Sequence, residues 1–136
     1  MQRRRVLEVE GIGHQAPIPQ AVQIGGFVFS SAVFGADPDT GELPPEADRQ
    51  AHLIFRHVRA LLAQAACGPE TIAKMTFHVD DDAHRAHINR EWLEMFPDPA
   101  DRPARHIIRT DQLRPSMHVL CEFVAVLGDE PAVPGA

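Results

Sequence analysis

Between Asp48 and Ala66 the apolar residues Ala51, Ile54, Phe55, Val58, Leu61, Leu62 and Ala65 recur at intervals of three and four. This spacing gathers them on one stripe and predicts an amphipathic helix, stopped by Cys67-Gly68-Pro69. His52, Arg56, Arg59 and Gln64 mostly fall off the stripe. The period then changes from helical to alternating. Ala73, Met75, Phe77 and Val79 alternate with Ile72, Lys74, Thr76 and His78, which predicts a strand with one apolar face. A second helix is expected from about Ala83 to Met95, capped by Asp80-Asp81-Asp82 and ended by Phe96-Pro97, with Ile88, Trp92 and Met95 toward the sheet.

Residues 4–9 predict a first strand, closed by Gly11-Ile12-Gly13. Pro17-Ile18-Pro19 removes backbone donors and gives an irregular extended link. Ala21–Ile24 and Phe27–Ala32 flank Gly25-Gly26, a two-residue hairpin signal. Asp37-Pro38-Asp39-Thr40-Gly41 is a turn. Strand-like runs follow the second helix, one around Arg105–Arg109 and one at His118–Val126. The predicted order is β-β-β-α-β-α-β-β, an α+β chain, and right-handed crossovers put both helices on one face of the sheet.

The other face is then uncovered, yet the last strand is apolar on both sides. Val119, Cys121, Phe123 and Ala125 alternate with Leu120, Val124 and Val126, the second set sharing its side with His118 and Glu122. Burial against a second copy is the expected outcome, with Glu122 on or near the seam. One domain spans residues 1–128, and the Pro- and Ala-rich stretch 129–136 reads as a loose tail.

Composition narrows the partners. A formal charge of -6, with Arg3-Arg4-Arg5 the one local excess of positive charge, argues against nucleic acid. No run is long and apolar enough to suggest a membrane span. Cys67 and Cys121 are far apart and in no ligand spacing, so a reduced, cytoplasmic setting is expected. Eight histidines raise the question of metal, and the nearest ligand set is His84-x-x-His87 beside Asp80-Asp81-Asp82. A helix N-terminus with a wet histidine face explains those residues, and no metal is expected.

Arg105 and Glu122 each interrupt an apolar run. Such groups are rarely buried without a partner or a task. Arg105 follows Pro103-Ala104 on stiff backbone, and its planar fork suits a carboxylate or phosphate. Glu122 on an apolar strand can hold or deprotonate water. Together they would bind an acid-bearing substrate and deliver water to it. An internal Arg105–Glu122 ion pair, or two unrelated surface charges, is the commoner use of such residues.

These residues resemble the RidA family, also called YjgF/YER057c/UK114 or L-PSP, over nearly the whole chain. The matching pieces are Gln20-Ala21-Val22, Asp37-Pro38-Asp39-Thr40-Gly41-Glu42, Gln50-Ala51 through Ala65-Ala66, Ile88-Asn89, Pro103-Ala104-Arg105, and Glu122 through Val126. The resemblance implies a chorismate-mutase-like fold and a homotrimer with a central sheet barrel and pockets at subunit interfaces. It also implies cofactor-free hydrolysis of 2-imino and 2-enamino acids to 2-keto acids and ammonia. Arg105 then takes the substrate carboxylate and Glu122 positions the water.

Three positions depart from the family pattern. Ile18 stands where many members carry the tyrosine of Gly-Pro-Tyr-Ser-Gln, Ser31-Ala32 replaces Ser-Gly, and Ile107 replaces a small polar residue or cysteine. Ile18, Ser31, Ala32 and Ile107 are the expected substrate-binding positions, and the changes make the pocket tighter or more apolar. A catabolic deaminase of a 2-aminomuconate- or aminoacrylate-like compound is the alternative within enzymes. A non-catalytic, chaperone-like trimer binding small carboxylates is the alternative outside them. Endoribonuclease activity, with which the family has also been labelled, fits the acidic charge least. His106 lies on the strand side opposite Arg105, His118 shares the side of Glu122, and Cys121 reads as core.

Overall fold

The computed structural model describes residues 3–128; the stretch read as a loose tail lies outside them. Nine elements follow in order: β1 (Arg5–Leu7), β2 (Ala21–Ile24), β3 (Phe27–Ser30), β4 (Val33–Phe34), α1 (Ala47–Gln64), β5 (Ile72–Val79), α2 (Arg85–Met95), β6 (Ala104–Arg109) and β7 (Val119–Val126). One sheet runs β1-β2-β3-β7-β5-β6, with β4 also paired to β7. Only β5 and β6 are parallel, so the sheet is mixed. The expected α+β architecture is present, with both helices against the same face.

The hairpin forms as its glycines predict. Ile24 pairs with Phe27, and Gly25 takes the positive φ of 55° that the first position of a type II′ turn requires. The run read as one strand from Phe27 to Ala32 instead breaks after Ser30. Phe29 pairs with Val124 and Val33 with Cys121, so Ser30, Ser31 and Ala32 face only Glu122 and Phe123 on β7. This is a β-bulge, and the Ser30 side chain repairs the ladder: its Oγ accepts from the Phe123 N–H at 2.8 Å.

The stripe of α1 is buried as spaced, and Ile88, Trp92 and Met95 of α2 are buried beside it. Asp81 caps the short 3₁₀ turn Asp82–His84 that leads into α2, its carboxylate accepting from Ala83 N at 2.8 Å. Met75, Phe77, Val79, Val119, Cys121, Phe123 and Ala125 supply the sheet side of this core. No helix among the described residues is long and apolar enough to cross a membrane.

Two polar residues on α1 are fully enclosed, which the stripe did not announce. Gln50 donates from Nε2 to the carbonyls of Pro44 and Ser116, both at 2.7 Å, and accepts from His118 N at 2.8 Å. It thereby stitches the approach to β7 onto α1. Gly35 allows this closeness, since a Cβ there would collide with the Gln50 backbone. His57 is buried and its Nε2 bonds to the Ala36 carbonyl at 2.6 Å. Burial, outweighing that bond, lowers its pKa below the usual histidine value.

Replacing Gln50 with leucine leaves two carbonyls and one N–H without partners, at about 1–3 kcal/mol each. Denaturant unfolding should show Gln50→Leu weakened by about 3 kcal/mol or more. For His57 the unfolded chain binds the proton more tightly than the folded one. Its neutral form is therefore stabilising above the ordinary histidine pKa, and stability falls as pH drops below about 6.5. The stability gap between the native protein and His57→Gln should narrow between pH 7 and pH 5.

Candidate active site

Strand register decides which side each candidate faces. Across β7, β5 and β6 one row runs Glu122, Thr76, His106 and the next Phe123, Met75, Arg105. Residues opposite one another on neighbouring strands share a face. Met75 and Phe123 are buried under the helices. Arg105 therefore belongs to the helix side and Glu122 to the open side. An internal ion pair between them is excluded, and neither makes an ion pair with any other described residue.

Arg105 is held by stacking. Its guanidinium carbon lies 4.9 Å from the centroid of the Trp92 ring, which α2 presents toward the sheet. Stacking occupies a face of the guanidinium and leaves the in-plane N–H edge free for a planar anion. Burial first, and the nearby Arg85 second, lower its pKa from the usual arginine value, and it remains a cation. Arg85 is steadied by Asp82, Nε to Oδ1 at 3.2 Å, and donates from Nη2 to the Ile107 carbonyl at 3.4 Å. An anion at Arg105 would thus meet two positive charges. The Ile107 side chain itself is buried in the core below the strand.

Glu122 stands exposed on the opposite surface. Beside it is a shallow hollow of about 290 Å³, lined also by Phe29, Ser30, Lys74, Thr76 and Val124. Toward β1, β3 and the end of β7 the surface is apolar, with Val6, Phe27, Phe29 and Val126 each at least 40% exposed. Phe27 and Phe29 stack there with ring centroids 6.1 Å apart.

The remaining predicted positions fall around the bulge. Ser31 donates its N–H to the Gln20 carbonyl at 2.9 Å. Ala32 lines a second hollow of about 330 Å³ with His14, Phe34, Arg114 and Leu120, where Arg114 stacks over Phe34 at 5.0 Å. Ile18 is exposed in the loop before β2. A further hollow of about 600 Å³ is lined by residues that include Arg59, Glu70, Asp101 and Ala104 but neither Arg105 nor Glu122.

His106 shares the side of Glu122 with Thr76 between them, and His118 is bonded to Asp80 at 2.8 Å. The Cys121 thiol is fully buried and pushed well above its usual pKa, by burial and then by Glu122, so it is an inert core group. Sequence reasoning missed Arg85 and the Arg105–Trp92 stack. The sequence places Trp92 toward the sheet but leaves the side of Arg105 open, since Ile107 and Ile108 make both faces of its strand apolar; the register with Met75 decides it.

The fold and these positions define an α+β domain that carries a stacked arginine on one surface and an unpaired glutamate on the other. Residues 11–127 match the family model described as Endoribonuclease L-PSP, and the chain belongs to that family, the RidA/YjgF family. It is 33% identical over 117 residues to a RutC family protein of Aquifex aeolicus, covering 82% of this chain and 94% of the relative. It is 29% identical over 125 residues to the Escherichia coli protein named "Putative reactive intermediate deaminase TdcF", covering 90% and 97%. The crystal structure of E. coli TdcF with bound serine superposes with a TM-score of 0.82 at 28% identity, covering 91% of this chain and 99% of that one.

Proposed function

We propose that this protein hydrolyses 2-imino and 2-enamino acids to 2-keto acids and ammonia, at sites completed between copies of a homotrimer. The observation that carries this is the division of Arg105 and Glu122, both without ion-pair partners, between opposite sheet faces. Two such groups can act on one small molecule only if neighbouring copies bring unlike faces together. The exposed apolar residues around Glu122 favour that contact. Family membership and the serine bound by TdcF support a small amino-acid-like ligand.

In this reading Arg105 of one copy grips the substrate carboxylate through its free edge, and Trp92 keeps the guanidinium plane fixed. Glu122 of the next copy takes a proton from water as the oxygen bonds to the imine carbon, and the C=N electron pair moves onto nitrogen. Delivery of that proton to nitrogen gives a neutral carbinolamine. Glu122 then moves the hydroxyl proton to nitrogen while the C–N bond breaks, releasing ammonia and leaving the keto group. No cofactor takes part. Ile18, Ser31 and Ala32 line the approach and favour substrates with apolar side chains, while Ile107, buried in the core, acts only by holding the strand that carries Arg105. A non-catalytic carboxylate-binding trimer is the competing reading. It uses Arg105 in the same way but gives Glu122 no role.

The test generates 2-iminopropionate in place with an amino-acid oxidase and follows its disappearance. Wild type should accelerate the decay, and Arg105→Ala and Glu122→Gln should each lose about 100-fold or more. Equal decay with and without the enzyme, across small and bulky imino acids, rules the reading out. Carboxylate binding that survives in Glu122→Gln, with no turnover by wild type, selects the non-catalytic trimer.

A further inference from the structure

Where β5 ends and β7 begins, three side chains converge on one point, Asp80 and His84 from one stretch of chain and His118 from another. The Asp80 carboxylate contacts His84 Nε2 at 3.1 Å through Oδ1 and His118 Nδ1 at 2.8 Å through Oδ2. The three ligand-capable atoms all lie within 4.8 Å of one another. We propose that Asp80, His84 and His118 bind one divalent first-row transition-metal ion of the zinc class, independently of the hydrolysis proposed above.

The donor set fits this class. Two imidazoles and a carboxylate suit zinc or its neighbours better than magnesium or calcium, which prefer all-oxygen shells. In a tetrahedral zinc centre with bonds of about 2.0–2.1 Å, ligand atoms sit roughly 3.4 Å apart. Small side-chain rotations would bring the observed spacings, which run from 2.8 Å to no more than 4.8 Å, to that value. The side chains are 36%, 18% and 30% exposed for Asp80, His84 and His118, so an ion can enter and keep a fourth position for water.

The backbone holds all three ligands in place. Asp80 N donates to the His118 carbonyl at 3.2 Å, and His118 N donates to buried Gln50 Oε1 at 2.8 Å. His84 N donates to the Asp81 carbonyl at 3.1 Å. Ion binding therefore orders little chain. One feature works against tight binding: His84 Nδ1 is buried without a hydrogen-bond partner, as is Nδ1 of His87 stacked beside it at 5.7 Å. A zinc-bound imidazole ordinarily donates from its second nitrogen, and lacking that support weakens a site by about 10–100-fold.

The experiment uses the full, untagged chain, dialysed against chelator and then titrated with Zn²⁺ and Co²⁺ by calorimetry and visible absorption. One ion should bind per chain, with a Co²⁺ spectrum of four-coordinate intensity. His118→Ala and His84→Gln should each weaken binding by at least about 100-fold, whereas His87→Ala should change it by less than about three-fold. Circular dichroism without metal checks that each variant folds. His118→Ala, altered at a half-exposed side chain, carries the test if His84→Gln does not fold. Failure to bind one ion per chain, or binding unchanged in His118→Ala, overturns the proposal and marks the cluster as a hydrogen-bonded group alone.

Discussion

The fixed alternation of side chains along β5, β6 and β7 is the constraint on which the rest depends. Met75 and Phe77 must face the helices, and register then sends Phe123 and Arg105 with Met75, and Glu122 and His106 with Thr76. A slip of one residue in β7 would drive Glu122 into the core and expose Phe123 and Cys121, so the apolar faces lock the register. Separation of the arginine from the glutamate is therefore a consequence of packing the core.

Local devices hold that register. At the bulge, Ser30 lends a side-chain oxygen to the Phe123 N–H, keeping β7 bonded where the backbone of its neighbour bends away. At the other end Gln50 fixes Ser116 and His118 just before β7 starts. The bulge places Ser31 and Ala32 opposite Glu122 and Phe123, and the Gln50 contact sets His118 beside Asp80. Core and surface chemistry thus share the same anchors.

Much of this was legible in the chain itself. The three-and-four spacing of α1 and the Gly25-Gly26 turn each state a local preference that packing did not override; in β5 the alternation holds from Met75 to Val79, but an irregularity between Ile72 and Lys74 buries Ile72 and exposes Ala73 instead of the reverse. Arg105 and Glu122 stood out because charge is rare in apolar runs. The bulge was not legible, since Phe27 to Ala32 reads as one continuous strand and the shift arises only from pairing with β7. Gln50 and His57 were hidden for a related reason: composition cannot reveal that a helix contacts loop carbonyls distant in sequence. The same holds for His118, whose approach to Asp80 depends on β5 and β7 lying side by side.

What remains is whether Arg105 and Glu122 of different copies share a site. Refolding Arg105→Ala and Glu122→Gln chains together in equal amounts poses the question directly, because each variant alone is expected to be inactive. If every site draws its arginine from one copy and its glutamate from the next, random mixing rebuilds about one quarter of the sites, and about a quarter of wild-type imine hydrolysis returns. If the mixed protein stays as inactive as either parent while wild type refolded alongside is active, the site does not span two copies and the account is contradicted.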